Sequence, residues 1–354
     1  MTQTKYLILE SGEVFAGKPF GAQGEAVGEL VFNTLMTGYL HTLTDARYYG
    51  QMVVQTFPLL GNYGVIPEEV EGKKCYLNAF IAREICDEPS NFRCKGTLSD
   101  WLAEQGVVGI CDLDTRRLTK VLRDHGAVRG IVTDSDVLTD EMRAKLQSYQ
   151  ITDALAHTLA QPDHLVNKDA KHRVVMVDLG VRADAAEQLY RRGCDVIVVN
   201  AEATAKQILA HKPDAIVYTT GAGDPAQATA VLAEMKKVLA HHIPTFAFGL
   251  GHQLLALAMG GTTKRLPYGH IGGQPVRDTA DGKLFITAQT HGYVVDTLPQ
   301  GAVLRYVNVN GHSCEGLDYT DNKAFSVQFT PSENGGPLAT DFLYDRLIAL
   351  TEEK

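Results

Sequence analysis

Short apolar runs alternate with amphipathic segments in the second half of the chain. The apolar runs predict buried strands at residues 173–178, 195–199, 215–218 and 243–248. Helical patterns with apolar positions on one face lie between them, as in Ala185–Tyr190. Because this alternation is typical of βαβ units, the second half is predicted to form a mainly parallel sheet with both faces covered. Such sheets bind ligands where the strands end in loops at their carboxyl edge.

The first half has a different pattern and predicts a mixed α+β domain. Two extended segments flank a Ser-Gly turn at Ser11-Gly12, which indicates a hairpin. Further extended segments are expected at 29–33, 51–56 and 107–113, and helical segments at 97–105 and 115–124. Residues 151–171 are polar and lack sustained periodicity, so they are interpreted as a linker between domains at 1–150 and 172–354. The length of 354 residues fits two domains.

Composition and charge narrow the class of protein. Hydrophobic residues make up 45% of the chain and charged residues 21%, which is typical of globular proteins. The net charge of −9 comes without a basic run, so binding to nucleic acid or to an anionic membrane is not expected. No apolar stretch reaches the ~20 residues that span a bilayer, and the N-terminus lacks the apolar core of a signal peptide. A cytoplasmic protein is therefore expected.

The cysteines predict neither metal nor disulfide chemistry. None of the six forms a CxxC pair, so no zinc or thioredoxin-like motif is present in the sequence. Most of them are interpreted as small core residues. No cofactor and no metal are expected.

The sharpest local feature is the segment 245–258, here called the elbow. An apolar strand, Thr245–Phe248, runs through a glycine turn into a short helix that starts near Leu250. Turns of this kind hold the nucleophile of many α/β enzymes, and the helix N-terminus behind them can stabilise a thiolate or an oxyanion. Gly249 stands where a cysteine or serine would be needed. The turn is present in the sequence, but the nucleophile is not.

Ordered motifs in both halves resemble a known family. Gly221–Pro225, Gly251–Ala256 and Gln289–Tyr293 resemble a class I glutamine amidotransferase domain. The first half resembles the N-terminal domain of the carbamoyl-phosphate synthetase small subunit. The motifs of the first half are Gly28-Glu29, Phe32–Thr34, Met36–Tyr39, Leu43–Asp45, Gly61-Asn62, Ser90–Arg93 and Asp114–Thr119.

The resemblance implies a subunit that hydrolyses glutamine with a Cys–His–Glu triad and passes ammonia to a large ATP-grasp subunit. The triad positions fall on Gly249, Thr330 and Ser332, and Glu333 follows with no histidine at 330 to orient. Glycine has no side chain, and a threonine hydroxyl cannot take up a proton near neutral pH. Because triad members act as a unit, glutamine hydrolysis is predicted to be absent.

The resemblance also implies a remnant of a glutamine pocket. Its positions are Arg47, Gly221, Gly223, Leu250, Gln253, Thr290, Gly292 and Tyr293. Arg47 replaces a family serine and Thr290 a family asparagine. Arg47 is either a solvated cation above the former pocket or a guanidinium that binds another carboxylate or phosphate. His252, His270 and His291 are interpreted as scaffold residues beside glycine turns.

Three hypotheses about function follow. The first is a glutaminase-dead small subunit, docked in a hetero-oligomer to a large synthetase subunit that uses free ammonia and serves pyrimidine or arginine biosynthesis. The preserved motifs of the first half favour it. The second is a non-catalytic binding or regulatory protein with a repurposed pocket, which Arg47 and Thr290 favour. The third, an active synthetase subunit, conflicts with Gly249.

Overall fold

The computed structural model describes residues 4–70, 74–181, 183–332 and 340–352, and it divides the chain into two compact units. Unit 1 spans Met1–Thr152 and unit 2 spans Asp153–Lys354. The segment 151–171, expected to be a linker, largely belongs to unit 2. It contains strand Asp163–Leu165, which pairs antiparallel with strand Cys194–Asn200, so sheet pairing orders a stretch whose polarity had suggested a connection.

Unit 1 is built mainly from short strands. Its strands are β1 (Lys5–Leu9), β2 (Val14–Gly21), β3 (Ala26–Asn33), β4 (Gln51–Gln55), β5 (Leu59–Leu60), β6 (Ala79–Ile81), β7 (Glu84–Ile85), β8 (Val108–Cys111) and β9 (Arg129–Thr133). Its helices are α1 (Tyr39–Thr44), α2 (Pro67–Val70), α3 (Leu98–Glu104), α4 (Thr115–His125) and α5 (Asp140–Ser148).

The strands of unit 1 form a closed barrel in the order β1-β2-β8-β6-β4-β3-β9. The predicted hairpin is present, with Leu7 opposite Phe15. β9 pairs antiparallel with both β1 and β3 and so closes the barrel. Fully buried apolar side chains such as Leu30 and Ile110 fill the interior. The mixed α+β composition was expected from the sequence, but the closure was not.

Unit 2 alternates helices with strands before it turns antiparallel. Its helices are α6 (Ala154–His157), α7 (Ala185–Arg191), α8 (Ala205–Ala210), α9 (Thr229–Leu239), α10 (Leu250–Ala258) and α11 (Phe342–Glu352). Its strands are β10 (Asp163–Leu165), β11 (His172–Asp178), β12 (Gly180–Val181), β13 (Cys194–Asn200), β14 (Ala215–Tyr218), β15 (Thr220–Gly221), β16 (Thr245–Phe248), β17 (Thr263–Asp278), β18 (Leu284–Val295), β19 (Val303–Asn308), β20 (Cys314–Tyr319) and β21 (Ala324–Val327).

One sheet runs through unit 2 in the order β10-β13-β11-β14-β16-β21-β20-β19-β17-β18. The strands from β13 to β21 in this order are parallel, which confirms the prediction of a mainly parallel sheet. β20, β19, β17 and β18 extend it with antiparallel pairs. The extension was not predicted, because β17 and β18 are largely half-exposed and carry no continuous apolar run.

Helices cover both faces of the parallel strands. Consecutive strand residues point to opposite faces, and Val175 and Val177 pack with α9 and α10 while Val174 and Met176 pack with α7 and α11. Cys194 and Cys314 are buried, whereas the other four cysteines are half-buried. Within the described residues, no helix combines the length and the apolar character that crossing a bilayer demands.

Candidate functional site

The elbow forms at the carboxyl end of β16. Gly249 is the N-cap of α10 and has φ 58° and ψ −119°, a conformation that residues with a side chain adopt only under strain. The Gly249 N–H donates to the carbonyl of Val327 over 2.9 Å, and the Gly251 N–H donates to the carbonyl of Thr219 over 3.0 Å. The strand–turn–helix geometry is therefore present although position 249 has no side chain.

The other two expected triad positions follow the neighbouring strand. β21 runs parallel to β16, with Val327 opposite Phe248, so both strands end at the same edge of the sheet. Beyond β21, the Thr330 N–H donates to the carbonyl of Ala288 over 3.0 Å, and Thr330 is 4% exposed. The topology therefore brings Gly249, Thr330 and the chain leading to Ser332 to one edge, where parallel sheets bind ligands.

The Ser332 hydroxyl is hydrogen-bonded to side chains from two other parts of unit 2. Its side chain is fully buried, and its hydroxyl donates to Asp184 Oδ1. The Tyr344 hydroxyl lies 3.2 Å from the Ser332 hydroxyl, and burial raises the pKa of Tyr344. Ser332 thus links the chain after β21 to the start of α7 and to α11. Glu333 lies outside the described residues.

Gln253 and Leu250 sit in the first turn of α10 and are buried. Gln253 Nε2 donates to the carbonyl of Tyr293 over 2.7 Å and to Gln328 Oε1 over 3.1 Å. The amide of Gln253 therefore ties α10 to β18 and to the end of β21. The Leu250 N–H points to the hydroxyl of Thr220 over 3.4 Å.

The glycines expected in the pocket lie around the same edge. Gly221 ends β15, and a Cβ atom there would lie 2.0 Å from the carbonyl oxygen of Leu179, so only glycine fits the close approach of these backbones. Gly223 has φ +95° in the turn after β15. Gly292 lies in β18, where a Cβ would meet no heavy atom within 4 Å among the described residues.

Thr290 and two histidines lie on the β17–β18 hairpin. His270 and His291 are paired strand residues, so the expectation that they lie beside glycine turns is wrong. Gly272 and Gly273 suggested a turn in the sequence, but both are strand residues paired with β18. The Thr290 hydroxyl donates to the carbonyl of Gln289 over 2.8 Å, so the Thr290 side chain is bonded to the backbone of its own hairpin.

Gln289 connects these histidines to Glu315, a residue that sequence reasoning missed. Gln289 Oε1 lies 3.2 Å from His270 Nδ1 and 2.9 Å from His291 Nε2, and its Nε2 donates to Glu315 Oε2 over 2.8 Å. Ligand atoms of His270, His291 and Glu315 lie within 4.8 Å of one another. Since Gln289 and Ser313 already hydrogen-bond these groups, the cluster holds β17 and β18 to β20. No local pattern marks Glu315, because only the fold buries it.

His252 lies in α10, two residues after Leu250. Its side chain is fully buried, its Nδ1 lies 2.8 Å from the Ser326 hydroxyl, and its Nε2 has no hydrogen-bond partner among the described residues. Burial lowers the pKa of His252 to about 3. The ring is therefore neutral near pH 7 and acts as a packed link between α10 and β21.

Arg47 lies in unit 1, in a short 3-10 turn at Ala46–Tyr48. Its guanidinium binds the Asp45 carboxylate through Nε, at 2.9 and 2.8 Å, and through a terminal nitrogen at 2.7 Å. The Arg47 side chain is 7% exposed, so its interpretation as a solvated surface cation is wrong. Asp45 also accepts the Arg47 N–H, so one carboxylate both caps the turn and neutralises the guanidinium.

A glycine elbow on a parallel sheet, with an antiparallel extension, defines unit 2 as a domain of the class I glutamine amidotransferase type. The family model "Glutamine amidotransferase class-I" matches residues 175–350, and "Carbamoyl-phosphate synthase small chain, CPSase domain" matches residues 7–132. The chain is 39% identical to the carbamoyl phosphate synthase small chains of Clostridium perfringens and Syntrophotalea carbinolica. The first match covers 97% of this chain and 98% of the Clostridium perfringens protein. The second covers 98% of this chain and 97% of the Syntrophotalea carbinolica protein. The chain therefore belongs to the carbamoyl-phosphate synthase small-chain family.

Proposed function

We propose that this chain is a glutaminase-dead small subunit of a carbamoyl-phosphate synthase whose large subunit uses free ammonia. The observation that carries the proposal is Gly249 at the tip of a fully formed elbow. Hydrolysis of an amide by this class of site needs a side-chain nucleophile at that position. Glycine offers none, so the chemical step has no attacking atom.

Among the described residues around the elbow, none supplies a substitute. Thr330 cannot act as a base near neutral pH, and Ser332 is engaged with Asp184. Burial lowers the pKa of His252 to about 3, which makes it a poor proton acceptor at neutral pH. Burial also raises the pKa of Cys314 to about 12, so that thiol is not a thiolate nucleophile.

The barrel of unit 1 supports the partnership. The small-chain family model matches residues 7–132 of this unit independently of the elbow. Two large apolar side chains, Met36 and Phe92, lie on segments that carry the resemblance and are 72% and 93% exposed. Single exposed apolar side chains are common on monomers, so the family match carries the partnership, and Met36 and Phe92 are candidate contact positions within it. The proposed partner is a large ATP-grasp subunit, with the small subunit as a structural or regulatory component.

The test combines two measurements on the native protein. Purified chain, alone and with the large subunit, is expected to release no glutamate from glutamine above background, while the complex makes carbamoyl phosphate from ammonium, ATP and bicarbonate. A family small chain with cysteine at the elbow is the positive control. Steady glutaminase turnover that a thiol-alkylating glutamine analogue abolishes would refute the proposal.

The partnership has its own readout. Co-expression with the cognate large subunit is expected to give one complex on size-exclusion chromatography. Elution of the chain only at its own mass of 38.6 kDa, with the large subunit present, would favour a different function.

That second candidate is a binding or regulatory protein with a repurposed pocket. Thr290 in place of a family asparagine favours it, since the substitution changes a side chain expected to contact substrate. The ion pair between Arg47 and Asp45 weighs against it, because the guanidinium is already neutralised. Titration calorimetry with glutamine, glutamate and other small dicarboxylates separates the two: submillimolar binding without complex formation would support the second candidate.

A further inference from the structure

The side chain of Thr220 lies against the tip of the elbow. A Cβ atom at position 249 would be 2.1 Å from Thr220 Oγ1 and 2.3 Å from Thr220 Cβ, far inside van der Waals contact. We propose that Thr220 occupies the space of the missing nucleophile and closes the elbow to an amide substrate. The inference rests on the proposed function, because it takes position 249 as the nucleophile position.

Thr220 cannot swing out of the way. Rotation about χ1 moves Oγ1 but leaves its Cβ in place, at 2.3 Å from the added atom. The backbone of Thr220 is fixed because it pairs with Val181 in the short β12–β15 ladder. The residue is only 3% exposed. Any side chain at 249 therefore requires either a backbone shift or the loss of the whole Thr220 side chain.

The hydroxyl of Thr220 also covers a donor that an amide substrate would need. In strand–turn–helix hydrolases, the N–H of the residue after the nucleophile stabilises the developing oxyanion. Here that group is the Leu250 N–H, and it points to Thr220 Oγ1 over 3.4 Å. A substrate carbonyl would have to displace a buried side chain to reach it. Thr220 thus excludes substrate from the elbow independently of Gly249.

The test is a double-mutant cycle read by thermal unfolding, with no use of glutamine. Gly249→Ala in the native background combines the steric overlap with the strain of a Cβ at φ 58°, and we expect the Tm to fall by roughly 5–15 °C. In the Thr220→Gly background the overlap is removed and only the strain remains. The same substitution is then expected to lower the Tm by less than half as much.

Thr219→Gly is the matched control. Thr219 is also a buried threonine, but its hydroxyl accepts the Leu179 N–H and lies 3.3 Å from Asp178 Oδ1. Thr219→Gly is therefore expected to leave the effect of Gly249→Ala unchanged. Equal losses of Tm from Gly249→Ala in the native and the Thr220→Gly backgrounds would overturn the proposal.

A second measurement covers the case in which the Gly249→Ala proteins are insoluble. Thr220→Val keeps the shape of the side chain and removes the acceptor, so with [15N]leucine labelling we expect the Leu250 amide to shift and exchange faster. Thr219→Val is expected to affect the Leu179 amide more than that of Leu250. An unchanged Leu250 amide in Thr220→Val would refute the role of the hydroxyl. Glutaminase activity of the native protein, or a missing complex, would instead contradict the proposed function.

Discussion

The ion pair between Arg47 and Asp45 allows a quantitative test of how unit 1 is stabilised. Both side chains are nearly buried, at 7% and 11% exposure, and three nitrogen–oxygen contacts of 2.7–2.9 Å join them. Asp45→Asn removes the negative charge but keeps an oxygen that can accept the Arg47 N–H. The guanidinium then loses its three contacts with the Asp45 carboxylate in a poorly solvated place. Breaking a buried pair from one side costs about 3–5 kcal/mol, so we expect unit 1 to lose about 3 kcal/mol.

The assay uses the single tryptophan of the chain, Trp101 in α3 of unit 1. Urea unfolding followed by Trp101 fluorescence therefore reports on the unit that contains the pair. The control is Asp112→Asn, which breaks the pair with Lys18 on the surface of the same unit, where both side chains are more than half exposed. Asp112 has φ 62°, which asparagine tolerates. The control is expected to unfold like the wild type, since surface pairs contribute little.

Replacing the guanidinium as well should recover stability. Adding Arg47→Met to Asp45→Asn replaces the guanidinium with an apolar side chain of similar length, and we expect at least half of the loss to be regained. If Asp45→Asn were as stable as the wild type, Asp45 would not be the group that neutralises Arg47. The interpretation of Arg47 as a binder of an external carboxylate or phosphate would then regain its support.

Three further predictions address chemistry, pH and partnership. Gly249→Cys together with Thr220→Gly is expected to place a thiol at the elbow yet leave glutamate release at background, because Thr330 stands where the family has its histidine base. Near-family turnover in a coupled glutamate assay would contradict this. His252 is neutral in the fold, where its pKa is about 3, and the unfolded chain takes up its proton below about pH 6.5. Relative to His252→Asn, the wild type should therefore lose about 1.4 kcal/mol of unfolding free energy per pH unit below 6.5, measured by urea unfolding with circular dichroism; equal pH slopes would refute it. Phe92→Ser is expected to weaken binding of the large subunit at least tenfold in biolayer interferometry, whereas Val137→Ser, also exposed, should not; equal affinities would exclude Phe92 from the interface.

The parallel part of unit 2 could be predicted because its strands are buried on both faces. Val174–Val177 is a continuous apolar run, and such runs leave a clear signal in the sequence. β17 lacks that signal: its side chains are mostly half-exposed, and its glycines were taken for turns. Its register comes from pairing with β18, which no local pattern encodes. The closure of the barrel by β9 is likewise a pairing with β1, more than a hundred residues away in the chain.

At the candidate site, the sequence located the elbow but could not predict the contacts around it. Thr220, Glu315 and Asp184 carry no motif, and they matter only because the fold brings them against Gly249, Gln289 and Ser332. The pair between Asp45 and Arg47 was accessible in principle. An aspartate two residues before an arginine can cap a turn and bind its side chain at once, a local signal that needs no tertiary contact.

The persistence of the elbow without a nucleophile follows from what holds its backbone. The hydrogen bonds of Gly249 to Val327 and of Gly251 to Thr219 belong to the junction of sheet and helix, so the turn does not depend on a nucleophilic side chain at 249. The orienting acid is a different case. A glutamate at 332 would place a second carboxylate where the Ser332 hydroxyl now meets Asp184, in a buried site. Asp184 is only half-buried, but two carboxylates this close repel each other, so a neutral side chain at 184 is expected to favour the restored acid.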